Sequence, residues 1–128
     1  MRQAANLDVG QRMRHDNPAQ IRHRLDTPGT YLYWGAFKGT TAADRFWKDS
    51  QLNGALVVDP PGASTNDQIL VLSEWFLLRD DGWRFEAAQA INGKGWPHTA
   101  TIELQQGDSS RFRIVNAMAA LEHPLHLH

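Results

Sequence analysis

The residues best suited to chemistry lie at the end of the chain, where LEHPLHLH places His123, His126 and His128 at spacings of three and two. If Leu125 to His128 is extended, His126 and His128 project from one face of a strand, while Leu125 and Leu127 face the other way. Neutral imidazole is the commonest protein ligand for zinc, copper and iron, and two on one face can serve one ion or two neighbouring ions. Pro124 stops a helix from running through the stretch and offsets His123, which leaves it able to serve a separate site. A vector-derived tag would run as unbroken histidine, whereas Pro124, Leu125 and Leu127 interrupt this run. A solvated tail that gathers metal without any fixed geometry is the other competing reading.

At 128 residues the chain suits one ordinary domain with a core of its own. Thirteen Lys and Arg against fourteen Asp and Glu leave no global field, so neither a nucleic acid nor an anionic membrane is expected as partner. No run approaches the roughly 18 apolar residues of a membrane span, and MRQAANLDVGQRMRHDN has no apolar core of the signal-peptide kind. With no cysteine, any metal held by these residues must use histidine or carboxylate. Five Trp and five Phe provide enough apolar surface for a folded domain.

The elements that would position the histidines read as strands. Ile21, His23 and Leu25 alternate with Arg22 and Arg24, DTPGT (Asp26 to Thr30) is a turn, and Tyr31 to Trp34 is a strand. A long connection follows, in which Ala42 to Lys48 has room for a turn or two of helix. Ala55 to Val58 is a short apolar run stopped by Pro60, Pro61 and Gly62, which predicts a strand buried on both faces. PPGASTNDQ is the best linker. Ile69 to Leu72 begins another strand, Arg79 to Gly82 is an Asp-Gly turn, and INGKGWPHT turns again. The cleanest amphipathic patterns come last. Ala100, Ile102 and Leu104 alternate with Thr101 and Glu103; Phe112 and Ile114 alternate with Arg111 and Arg113. Roughly seven short strands separated by turn signals predict an all-β sandwich or barrel.

The ordered set TPGTYLYWG, DSQLNGALVVDPPG, INGKGWPHT, GDSSRFRIVNA and HPLHLH resembles the laccase-like multicopper oxidases across about residues 19–128. The resemblance implies a cupredoxin-like Greek-key β-sandwich and copper as cofactor. It also implies an oxidase that couples one-electron oxidation of a small reducing substrate (a phenol, an amine or a metal ion) to reduction of dioxygen to water. Carried over by position, His123 would be a type 1 copper ligand, His126 a type 2 ligand and His128 a type 3 ligand. The family is commonly exported.

Two departures matter. GTYLYWGA places Trp34 and Ala36 where many laccases carry cluster histidines, and the thiolate of a type 1 centre is missing. The resemblance therefore implies an incomplete sandwich: the end of one cupredoxin domain over 1–62, a linker and connecting strand over 63–85, and the start of a copper-binding domain over 86–128. Such a chain is not catalytically complete. Its site would be finished by the remainder of the same polypeptide or by another subunit. Among the other candidates, His98 reads as a turn residue, His23 as a core histidine, His15 as solvated, Asp80 and Asp81 as turn residues, and Trp34 as core. Glu122 could orient the neighbouring His123. The alternative function is a non-enzymatic cupredoxin-like or Ig-like binding module with an incidental histidine tail. A cupin-type jelly roll also uses H-x-H on a strand, but the other motifs argue against it.

Overall fold

The computed structural model describes residues 24–35, 52–63, 66–78, 82, 85–118 and 124–126; the side chains of Leu77, Leu78 and Phe85 are not described. The described residues form five strands in two sheets and no helix, an all-β structure. β1 (Gly29–Trp34) and β2 (Asn53–Val58) make an antiparallel pair running from Gly29↔Val58 to Trp34↔Asn53. β3 (Asp67–Leu78) is the centre of a second sheet of order β4-β3-β5, with β4 (Phe85–Ile91) antiparallel and β5 (Arg111–Asn116) parallel to it. No helix among the described residues is long and apolar enough to cross a membrane.

The expected strands at Tyr31 to Trp34, Ala55 to Val58, Ile69 to Leu72 and Phe112 to Ile114 all form, each within a longer ladder. Two expectations are corrected. Ala100 to Leu104 pairs with no strand among the described residues despite its alternation, and Leu104 is 49 % exposed. β2 is not buried on both faces: Ala55 faces the core while Leu56 is 43 % exposed on the outer side. Arg24 and Leu25 are not in a strand; the rest of the Ile21 to Leu25 pattern and the Ala42 to Lys48 helix fall outside the described residues.

Period two explains how the sheets meet. Leu32 on β1 and Ala55 on β2 share a register pair and pack against Val71, Val115 and Ala117 of the second sheet. On that second sheet, register places Asp67, Ile69, Val71 and Ser73 on the same face as Arg111, Arg113 and Val115. The arginine face of β5 therefore turns toward the first sheet, and Phe112 and Ile114 lie on the outer face, 39 % and 38 % exposed. Charge pairing is the physical reason. Arg111 donates through Nε and Nη2 to the two Asp67 carboxylate oxygens at 2.6 and 2.8 Å, and Arg113 donates to Asp67, to Asp59 and, at 2.9 Å, to the Thr30 hydroxyl on β1.

One residue, Asn92, organises the other edge of β3. It sits at φ 51° ahead of Gly93 at φ 75°, the two left-handed positions of a two-residue hairpin turn. The turn is closed by Ile91 N–H to Lys94 O at 3.0 Å and Lys94 N–H to Ile91 O at 3.1 Å. β4 stops there, and Asn92 takes over its pairing: its N–H donates to Val71 O, its Oδ1 accepts from Val71 N–H at 2.8 Å and its Nδ2 donates to Ile69 O at 2.9 Å. Replacing Asn92 by Gly keeps the turn conformation and deletes the side-chain bonds, so Asn92→Gly is expected to lower stability by about 1–2 kcal/mol in urea unfolding, and Asn92→Ala by more.

Arg111 and Arg113 also hold the Asp67 carboxyl below its usual 3.8, at about 2, as the guanidinium hydrogen bonds outweigh the opposing cost of burial. A carboxyl with a depressed folded-state pKa stabilises the fold above its unfolded value and loses that contribution as pH falls through the folded one. Stability is therefore expected to decline as pH drops from about 4 toward about 2, and Asp67→Asn is expected to flatten that part of the profile when unfolding midpoints are measured against pH.

Candidate metal centre

The path to the histidines runs out of β5. Ala117 N–H donates to Leu72 O at 2.8 Å, extending the parallel ladder one residue beyond Asn116. Asn116 Oδ1 then accepts from Met118 N–H at 3.0 Å, a local bond that bends the chain as it leaves the sheet. Val115 and Ala117 stay buried, so the start of the segment is anchored on the core. His123 follows Asn116 by seven positions.

Of the three expected ligands, His126 lies in the described stretch Pro124 to His126 and is exposed; His123 and His128 fall outside the described residues. Pro124 to His126 belongs to no ladder and Leu125 is 62 % exposed, so the expectation of a strand with leucine on a core face is not met there. No group of three or more metal-capable side chains occurs among the described residues. His98 is exposed in a turn closed by its own N–H to Gly95 O at 2.8 Å, in keeping with its turn reading. Trp34 is half-buried and shares its face of β1 with the core-packed Leu32. His15, His23, Ala36, Asp80, Asp81 and Glu122 fall outside the described residues.

A groove of about 370 Å³ lies between Gln68 to Leu70 of β3 and the ladder-free Ala100 to Glu103, with Ile91 and Lys94 at its wall. Its described lining contains no histidine.

Sequence reasoning missed Glu74. In ILVLSEWFLL it is the one acid within an apolar run, and that isolation was the available signal. Glu74 is 4 % exposed on the outer face of β3, between Leu72 and Phe76, opposite Gln89 in the β4 register. Gln89 Nε2 donates to its Oε1 at 3.3 Å, while Oε2 is buried with no partner among the described residues. It missed equally the Asp59, Asp67, Arg111 and Arg113 network, whose trace is an acid at each end of the linker and R-x-R at the start of β5.

No family model, no curated protein and no solved structure matches the chain.

A buried carboxylate oxygen without a donor costs about 1–3 kcal/mol. Glu74→Gln, which keeps the shape and removes the charge, is expected to raise the urea midpoint. An unchanged or lowered midpoint would show that the carboxylate is paired in solution.

Proposed function

We propose that the chain is a segment of a laccase-like, copper-dependent oxidase in which His123, His126 and His128 ligate copper, as type 1, type 2 and type 3 ligands in that order. The observation that carries the reading is the H-P-x-H-x-H stretch placed directly after the strand containing R-F-R-I-V-N-A. That strand is β5, paired in parallel to β3, with Val115 and Ala117 buried, and it precedes the histidines in sequence. An all-β structure of two sheets supports a sandwich; the Greek-key cupredoxin arrangement belongs to this proposal.

The donor set suits the metal. Imidazole nitrogens bind copper well, and His126 is exposed where an ion and further ligands can reach it. With no cysteine in the chain, the thiolate of a type 1 centre must come from residues beyond this sequence or from another subunit. Bound copper supplies one-electron acceptance from a small reducing substrate and, as a cluster, the reduction of dioxygen to water. This chain's own residues would supply the imidazoles, and the isolated chain is expected to lack oxidase activity. Neither a nucleic acid nor a membrane has a part in the proposal.

The second reading, a non-enzymatic binding module with an incidental histidine tail, is favoured by one observation, the exposure of Leu125 beside His126. Calorimetric titration of the 128-residue chain with Cu(II) separates the two. A defined stoichiometry that His126→Ala or His128→Ala removes is expected for a ligand segment. Weak, graded uptake that declines evenly with each histidine replaced would favour the tail. In the encoding genome, a Cys-His motif downstream of His128 supports the oxidase, and a stop codon directly after His128 would sink it.

A further inference from the structure

We infer that the groove between β3 and Ala100 to Glu103 is a self-complementary strand slot, filled by the Ala100 to Leu104 segment of a second copy of this chain. The inference is independent of the copper-ligand reading. One wall of the groove is an open sheet edge. Along β3 the backbone groups alternate sides: Asn66 O and Leu72 O accept from the β5 side, while Val71 N–H, Val71 O and Ile69 O turn toward the β4 side. β4 pairs with β3 only from Leu72 onward, and Asn92 serves Val71 and Ile69 O. The Ile69 N–H therefore faces the groove with no strand against it among the described residues. The other wall is a strand without a sheet: Ala100 to Leu104 alternates apolar and polar side chains and joins no ladder there. Ile69, Ile91 and Ile102 on the lining, and Leu104 beside it, are each more than a third exposed.

A space between two extended backbones is filled best by a third, because a strand offers donors and acceptors to both sides at once. Four residues of strand backbone, at about 3.3 Å each along the chain and about 4.8 Å across and deep, take up on the order of 300 Å³. The groove of about 370 Å³ holds that much. Ala100 to Leu104 has the alternation, the length and the free backbone that the slot requires, which makes a second copy the matching occupant. A two-fold axis normal to the sheet then gives the strand order β3, the partner's Ala100 to Leu104, the chain's own Ala100 to Leu104 and the partner's β3. Each copy's wall strand fills the other's slot, and the assembly closes. The charges agree with this pairing. Lys94 and Glu103 both line the groove, both are exposed, and neither pairs with a charge among the described residues. The exchange carries the partner's Glu103 into the slot that Lys94 lines.

The test is sedimentation equilibrium of the 128-residue chain, with circular dichroism confirming that each variant is folded. The wild type is expected to form a reversible dimer. Ile102→Pro removes an N–H and the freedom to pair at a position that has no ladder bond to lose in the monomer, and is expected to weaken the dimer at least about tenfold. Glu103→Lys and Lys94→Glu reverse a charge pair that occurs twice in a two-fold dimer, so each is expected to weaken association about tenfold. The two together are expected to recover most of that loss, which a merely structural role for either side chain would not produce; this exchange serves also if Ile102→Pro does not fold. A synthetic peptide covering residues 99–105 is expected to compete and convert dimer to monomer. A wild-type chain that stays monomeric up to about 1 mM would overturn the inference. Uptake of the peptide by such a monomer would assign the slot to an extended strand of a different chain. A dimer that Ile102→Pro and both charge reversals leave unchanged would overturn it equally, and none of these outcomes touches the copper-ligand reading.

Discussion

The carboxylate of Asp67, shared between Arg111 and Arg113, is the interaction on which the arrangement of the described residues depends. The apolar contact between the sheets is small: Leu32 and Ala55 against Val71, Val115 and Ala117, with no large side chain fully buried among the described residues. Short aliphatic groups hold two sheets together but discriminate weakly between neighbouring alignments, since valine against alanine packs much the same one step along. Two arginines and two aspartates bridging the end of β2, the start of β3 and the head of β5 add that discrimination. Partly buried ion pairs are poor sources of net stability because desolvation opposes them, and they are most useful where they select one geometry from several. Here they also dictate which face of β5 looks inward.

That last point shows where sequence reasoning reached and where it stopped. The periodicity of Tyr31 to Trp34, Ala55 to Val58 and Phe112 to Ile114 is enough to identify strands, because period two leaves a direct mark on the order of side chains. It does not identify partners. Ala100, Ile102 and Leu104 alternate as cleanly as any strand in the chain, yet they join no ladder among the described residues. Nor does alternation reveal which face is internal when both arginines have acids waiting 44 to 54 positions away. An amphipathic strand whose charged side finds carboxylates can bury that side. The histidine cluster, by contrast, was legible as donor chemistry from residue type and spacing alone, while the fixing of β5 by Val115, Ala117 and the Asp67 fork could be seen only once β5 was set beside β3.

β3 is long enough to serve two partners on different halves, and its two edges are managed differently. From Leu72 to Leu78 it pairs with β4, and from Asp67 to Leu72 with β5, so the strands overlap at a single residue, Leu72. Where β4 turns away, Asn92 supplies a backbone N–H, a side-chain acceptor and a side-chain donor in place of the missing strand. An asparagine is suited to this, because its amide copies the donor and acceptor of a peptide group and its backbone tolerates the left-handed conformation of the turn. The outer face of this sheet keeps Phe112, Ile114 and Ile91 more than a third exposed. Apolar surface left open on a sheet is stabilised by whatever removes it from water.

A histidine-rich stretch becomes a metal site only when its anchor limits where the imidazoles can go. The three donors in HPLHLH have the same chemistry whether the stretch is a tail or the first strand of a copper domain; what separates the two is the geometry inherited from the preceding residues. β5 itself is fixed by a parallel ladder to β3, the buried side chains of Val115 and Ala117, and a charge lock at its head. Leu125 and His126 are exposed and pair in no ladder among the described residues, so that stretch takes no geometry from a neighbouring strand there.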